Sequence, residues 1–112
     1  MFADRVEEFF VEAKKDDRPF YLTMGYVDLH RVPASRGGFG NVDGNYDARL
    51  EDCIFSRIEV EVSQFVQDLP AVRQELAEYY RPIHRMDQGI GLVLEAVERQ
   101  GLADETLVLF ER

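Results

Sequence analysis

The sequence predicts an α/β fold in which mostly parallel strands are flanked by helices. Two amphipathic helical patterns, at 2–15 and 70–100, are each followed by a short apolar run, at 20–27 and 105–110. Buried parallel strands have this composition, with β-forming residues and few charges. Helices that alternate with such strands along the chain are typical of a parallel sheet.

The first predicted element is a helix over 2–15. Apolar residues recur there at steps of three and four, with charged residues between them. These apolar positions are Phe2, Val6, Phe9, Phe10 and Ala13. Pro19 and the residue before it resist helical geometry, so the helix is expected to end before them.

The apolar run 20–27 predicts a buried strand that ends abruptly in a polar turn. In open α/β sheets, sites lie just beyond the carboxyl ends of strands, which is where His30 stands. As imidazolium His30 could donate to an anionic oxygen, or it could act as a general acid. Arg31 and Arg36 follow, which favours anion recognition. The alternative is that His30 merely caps the loop.

The stretch 32–57 predicts a long loop, because it lacks periodicity and is rich in glycine, proline and asparagine. Its glycines at 37–44 do not have the spacing of a dinucleotide-binding fingerprint. Residues 43–54 lack the glycine and the final glutamate of an EF-hand loop. The alternation that begins at Ile58 then predicts an extended arm or half-exposed strand over 58–66.

A broad apolar stripe predicts a long helix over 70–100, with proline at its first position. Pro82 lies inside this helix, so a kink or break is expected just before it. Gly89 and Gly91 weaken the helix but permit close approach of another backbone. Gly101 suits the helix end.

The last predicted element is a second buried strand over 105–110. A parallel sheet made of only two strands and a few helices would have no further strands at its edges, and helices would not cover both of its faces. The sequence therefore predicts that residues 1–112 are one partial domain, a piece of a larger sheet.

Composition excludes several classes of protein. The formal net charge of −9 over 112 residues argues against binding to nucleic acid or to anionic membranes. No apolar run approaches the length of a membrane span, and the N-terminus lacks the basic region of a signal peptide. Cys53, the one cysteine, cannot form an internal disulfide. His84 is interpreted as a surface or helix-packing residue.

The sequence resembles the sulfatase family. Phe20–Arg31 is similar to a family segment in which an apolar strand runs into a turn of the type His-Asp-Pro-His-Arg. Ile58–Phe110 is similar to the segment that follows, with its extended arm, its long helix with a central Arg-Met-Asp, and the next strand. Arg85–Leu94 is closest to the sulfamidase branch of the family.

The resemblance implies an alkaline-phosphatase-like α/β/α sandwich. It also implies a calcium-dependent hydrolase that cleaves sulfate esters or N-sulfonates of sugars. Its nucleophile would be a formylglycine made from the cysteine of a Cys-x-Pro-Ser-Arg motif. Its partners would be a sulfated sugar and the rest of the sulfatase domain. Family members are usually periplasmic, secreted or lysosomal; the compartment of this chain stays open.

Two site residues carry over from the resemblance. His30 matches the last histidine of the strand-end turn, which contacts the sulfate, and Arg31 follows it. Val27 and Leu29 stand where the family has histidine and proline. Residues 31–36 do not match the nucleophile motif, and no metal ligand of the family carries over.

The chain is therefore expected to be an internal segment of a sulfatase that is inactive alone. It would lack the nucleophile and the calcium ligands. The alternative, from another class, is a stand-alone acidic module that binds a partner protein through its uncovered strands and helix stripe.

Overall fold

The computed structural model describes residues 2–27, 29–30, 39 and 47–111. Within them lie two α-helices and a one-turn 3-10 helix: α1 (Phe2–Asp16), α2 (Pro70–Arg99) and Ala103–Glu105. The helices therefore occupy the two stretches where the apolar periodicity predicts them.

The chain divides into two compact units. The first consists of Met1–Thr23 and Gly89–Arg112, and the second of Met24–Gln88. Helix α2 contributes residues to both units: residues 89–99 belong to the first unit and residues 70–88 to the second. The expectation that residues 1–112 form part of a single larger domain stays a prediction.

The first unit is organised around an apolar cluster between α1 and the end of α2. Its buried residues are Val6, Phe10, Val93, Ala96 and Val97. Steps of three and four residues bring each set to one side of its helix. Partly buried side chains then pack on the cluster: Phe9, Phe20, Leu22 and Leu102. The rings of Phe9, Phe10 and Phe20 contact one another, with centroids 5.6 to 5.9 Å apart.

Several polar contacts join α1 to the carboxyl end of α2 in the first unit. Arg99 Nη2 lies 3.0 Å from Glu7 Oε2. Lys14 Nζ donates to the backbone carbonyl of Gln100 at 2.6 Å. A cation at the carboxyl end of a helix satisfies an otherwise unpaired carbonyl and complements the helix dipole.

Helix α2 ends in a Schellman motif at Gly101. The Leu102 amide donates to the Val97 carbonyl at 3.0 Å, and the Gly101 amide donates to the Glu98 carbonyl at 2.8 Å. Gly101 has φ +68°, which glycine adopts without steric cost. Because Leu102 also packs on the apolar cluster, the cap and the core stabilise the same helix end.

Helix α2 continues through Pro82, so the expected break does not occur, and the expected kink stays a prediction. Pro82 is fully buried. Proline cannot donate to the carbonyl four residues earlier, and its ring crowds that turn. Next to Pro82, two helical residues contact the preceding chain, since Arg81 Nη2 lies 2.6 Å from Asp52 Oδ2 and the Tyr80 ring lies 5.5 Å from the Phe55 ring.

The predicted strands over 20–27 and 105–110 are not β-strands within the described residues, so the structure does not bear out the α/β class. Phe20 and Leu22 pack on the helices, whereas Tyr21 is 90% exposed. The run from Leu107 to Phe110 is exposed throughout, with Leu107 at 83%. A strand exists through hydrogen bonds to a neighbouring strand. The described part of this chain supplies no such neighbour to either run.

The predicted arm over 58–66 is held by turns rather than by a sheet. The Glu59 amide donates to the Ser56 carbonyl at 3.1 Å, and the Val66 amide donates to the Ser63 carbonyl at 3.0 Å. Most of the predicted loop 32–57 lies outside the described residues, which contain only 39 and 47–57 of it. Among the described helices, none is both long and apolar enough to cross a membrane.

Candidate functional site

His30 lies in a turn of the second unit, and its side chain is exposed. The His30 amide donates to the Val27 carbonyl at 3.0 Å, which closes the turn. The exposed imidazole of His30 is accessible to an anion from solution. Arg31 and Arg36 lie outside the described residues. The sulfate contact assigned to His30 and Arg31 therefore stays a prediction.

A row of polar side chains on α2 forms hydrogen bonds with residues that precede this helix in the sequence. We call Arg73, Arg81, Arg85 and Gln88 the polar row. The three arginines stand at multiples of four residues, with the buried Ala77 between the first two. Residues at this spacing follow one side of a helix. Each member reaches a residue at least 13 positions earlier in the chain.

Arg73 connects the start of α2 to the arm over 58–66 and to the residue before it through hydrogen bonds. Its Nε and Nη2 bind the two carboxylate oxygens of Asp68 at 2.6 and 2.7 Å. Its Nη1 donates to the carbonyls of Arg57 and Val60, each at 3.1 Å. The hydrogen bond from Arg73 lowers the pKa of Asp68, and the same bond raises the pKa of Arg73. This planar fork matches a carboxylate in a way that lysine could not.

Further along α2, the polar row binds the segment that precedes the arm. Arg81 Nη2 lies 2.6 Å from Asp52 Oδ2. The Gln88 side chain binds both backbone groups of Glu51. Gln88 Oε1 accepts from the Glu51 backbone N–H at 2.7 Å, and Gln88 Nε2 donates to the Glu51 carbonyl at 2.9 Å. Residues 51–60 therefore run antiparallel to α2.

Aromatic side chains fill the space between these polar contacts. The Phe55 ring meets Tyr80 at 5.5 Å and His84 at 6.1 Å, in both cases edge to face. His84 is half-buried, which agrees with its interpretation as a helix-packing residue. Edge-to-face contacts add to the stabilisation from burial alone.

Arg85 is the most deeply buried charged residue among the described residues, with 3% of its surface exposed. Its Nη2 donates to the carbonyl of Phe39 at 3.1 Å, across 46 positions of sequence. The Phe39 ring is itself buried and lies 5.3 Å from the ring of Tyr79. A buried guanidinium is costly unless it is hydrogen-bonded, so this contact offsets part of the cost of burying Arg85.

The sulfatase family model matches residues 1–110 of the chain. The chain belongs to the sulfatase family. It is also similar to human N-sulphoglucosamine sulphohydrolase, with 38% identity over 105 residues that cover 86% of this chain. The chain spans about a fifth of the length of that relative, since the match covers 21% of it. No solved structure matches the chain.

This match confirms the resemblance on which the sequence analysis relied, including the sulfamidase branch. The Arg-Met-Asp of that resemblance begins at Arg85, the buried arginine that binds Phe39. The contact between Arg85 and Phe39 therefore lies at the start of the Arg-Met-Asp run on which the resemblance was based.

The described residues of this sulfatase-family chain do not suit calcium. Calcium takes six to eight oxygen ligands, several of them carboxylates. Within the described part of the chain, no group of three or more His, Cys, Asp or Glu side chains is placed to hold a metal ion. The carboxylate of Asp47 is instead occupied by Arg49, whose hydrogen bonds lower its pKa to about 2.

Nor do the residues around the single cysteine match the formylglycine motif. Cys53–Arg57 has serine and arginine at the fourth and fifth positions but phenylalanine in place of proline. That phenylalanine, Phe55, packs on Tyr80, and Cys53 is half-buried. No reaction step through calcium or formylglycine follows from the described residues.

Sequence patterns did not identify the polar row as a set. Arg73, Arg81 and Arg85 interrupt the apolar stripe at multiples of four, which is the one signal of it in the sequence. Their partners lie far away in sequence, so periodicity alone could not assign them.

Proposed function

We propose that this chain is a segment of a sulfatase-family hydrolase that cleaves sulfate esters or N-sulfonates of sugars. The observation that carries the proposal is the family match over 1–110, together with 38% identity to a protein named for hydrolysis of N-sulphoglucosamine. The sulfamidase branch makes an N-sulfonated amino sugar the favoured substrate class.

The proposed fold of the whole protein is an alkaline-phosphatase-like α/β/α sandwich. In it, the runs 20–27 and 105–110 pair with strands supplied by residues outside this chain. The support is the exposure of Tyr21 and of the run from Leu107 to Phe110, which leaves apolar surface uncovered. Burial of such surface contributes about 25 cal/mol per Å², so a covering layer is strongly favoured.

His30 is proposed to contact the sulfate, with Arg31 as a second donor. An imidazolium and a guanidinium both donate charge-assisted hydrogen bonds to anionic oxygens. Donors placed where charge develops lower the barrier of group transfer. The exposure of the His30 side chain in its turn supports this role, because the ring is accessible to a ligand.

The chain alone is proposed to be inactive. Its sequence lacks a Cys-x-Pro-Ser-Arg motif, and its described residues do not suit calcium. The nucleophile and the metal ligands would then come from the remainder of the domain. The test is sulfate release from an aryl sulfate and from N-sulfoglucosamine, each with calcium. Turnover by this chain above the buffer rate would contradict its inactivity.

The alternative of a stand-alone interaction module is tested by thermal unfolding. A segment of a larger sheet is expected to self-associate or to melt broadly, because apolar runs such as Leu107–Phe110 are exposed. A monomer that melts in one cooperative transition would favour the module instead.

A further inference from the structure

The apolar run that follows the 3-10 helix starts in the backbone conformation of a strand but has no neighbouring strand. Thr106, its first residue, has φ −118° and ψ 122°, which lie in the β region. Within the described part of the chain, residues 106–111 form no backbone hydrogen bond. Their amide and carbonyl groups are therefore available to an added strand.

The apolar side chains of this run face solvent one after another. Even the least exposed of them from Leu107 to Phe110, Val108, has 56% of its surface exposed. The run is made of β-forming residues and contains neither proline nor glycine. A partner that supplies both a strand backbone and apolar side chains would fit this surface.

The order of residues around Val108 is nearly the same in both directions along the chain. Outward from Val108, the residues at equal distances are Leu107 and Leu109, then Thr106 and Phe110, then Glu105 and Glu111. A closed two-fold interface is self-complementary, so a residue pair on one side recurs on the other. In an antiparallel pair centred on Val108, leucine faces leucine, and threonine faces phenylalanine, a favourable cross-strand pair. The run is therefore complementary to a second copy of itself.

We propose that two copies of this chain pair antiparallel along residues 106–110, with Val108 at the centre. Each copy supplies backbone hydrogen-bond partners to the other, and the facing apolar side chains are removed from water. The inference does not rest on the proposed function, because it concerns the 112-residue chain without the remainder of a sulfatase domain.

Two acidic residues at the ends of the run limit the strength of this pairing. In the register centred on Val108, Glu105 of each copy comes opposite Glu111 of the other. Both side chains are exposed. Like charges that face each other across two strands are destabilising, and charges beside an exposed strand limit its association. The dimer is therefore weak, and reversing one of the two charges strengthens it.

The first experiment measures the dissociation constant by sedimentation equilibrium over a series of protein concentrations. The wild type is expected to show a monomer–dimer equilibrium. Val108→Lys places two lysines opposite each other and is expected to raise the dissociation constant about tenfold or more. Phe65→Lys is the matched control, because it makes the same charge change at a side chain that is 98% exposed in the other unit. It is expected to leave the constant unchanged.

The second experiment tests the register by charge reversal. Glu111→Lys brings a lysine opposite Glu105 of the other copy and is expected to lower the dissociation constant about threefold or more. Glu105→Lys is expected to do the same. The two changes in one chain place lysine opposite lysine, so the gain is expected to be lost. Glu61→Lys, at an exposed acid of the other unit, controls for the change in net charge.

The outcomes that would overturn the inference are specific. One is a wild-type chain that stays monomeric at every concentration, and another is a dimer that Phe65→Lys weakens as much as Val108→Lys does. A third is a Glu111→Lys variant that gains no more than Glu61→Lys, or that keeps its gain when Glu105→Lys is added. None of these results bears on the proposed hydrolysis of sulfate, which is tested separately by sulfate release.

Discussion

Replacing Gly91 by alanine is expected to stabilise this chain, whereas the same replacement at Gly101 is expected to destabilise it. Gly91 lies inside α2, and a Cβ atom built there meets nothing within 4 Å. Gly101 also has open space around it, but its φ is +68°. The two sites therefore differ in backbone conformation and not in crowding.

The magnitudes follow from these two conformations. Glycine inside a helix costs about 0.8–1.0 kcal/mol relative to alanine, so Gly91→Ala gains about that amount. An L residue in the left-handed region costs about 1–2 kcal/mol, so Gly101→Ala loses that amount from the end of α2.

The assay is thermal unfolding followed by circular dichroism at the helical band, at one protein concentration. Gly91→Ala is expected to melt higher than the wild type and Gly101→Ala lower. A lower Tm for Gly91→Ala would refute the reasoning, because it would mean that another backbone already packs against that glycine.

Three further predictions follow from the core and from the ion pairs. Phe10→Ala removes a buried ring of the apolar cluster, and it is expected to lower the free energy of unfolding in urea by about 3–5 kcal/mol. The control is Phe65→Ala, whose side chain is 98% exposed, and it is expected to lower that free energy by less than about 0.5 kcal/mol. Similar losses for both would refute the assigned core. Arg73→Met is expected to return the pKa of Asp68 towards its ordinary value in an NMR titration, since the hydrogen bond from Arg73 is the main cause of its lowering. An unchanged Asp68 would contradict the geometry of that bond. The Asp47 carboxyl is expected to titrate at about 2 rather than 3.8, because hydrogen bonds from Arg49 favour its charged form. Its stabilising contribution is therefore present above pH 3.8 and is lost as the pH falls towards 2, and a measured pKa near 3.8 would contradict it.

The helices could be predicted from the sequence because each has a periodic apolar side. Val6 and Phe10 on α1, and Val93 and Val97 on α2, are four residues apart and meet in one cluster. The helix end at Gly101 was also predictable, because glycine there permits the positive φ of a Schellman motif. These features depend on residues close together in sequence.

The runs 20–27 and 105–110 show the limit of the same reasoning. Their composition is that of buried strands, but strand pairing needs hydrogen-bond partners from other parts of a protein. Arg85 shows a second limit. Its contact with Phe39 spans 46 positions, and no periodicity in the sequence links the two.

The candidate site at His30 was proposed through the family resemblance rather than through pattern. His30 after an apolar run is compatible with a site or with a plain loop, and the motif order from Phe20 to Phe110 is what singled out the sulfatase family. The structure places His30 in an exposed turn, and its contact with sulfate stays a prediction.

The measurement that tests the central claim most directly is the DNA sequence on both sides of this reading frame. The account predicts an in-frame Cys-x-Pro-Ser-Arg motif upstream. It also predicts, downstream of Arg112, the Asp-Asn/His-Gly motif whose aspartate binds the metal in the family that the sequence resembles. These would supply the nucleophile and a metal ligand to the domain that contains His30. Stop codons that close the frame on both sides, with neither motif present, would contradict the claim that this chain is a segment of a working sulfatase.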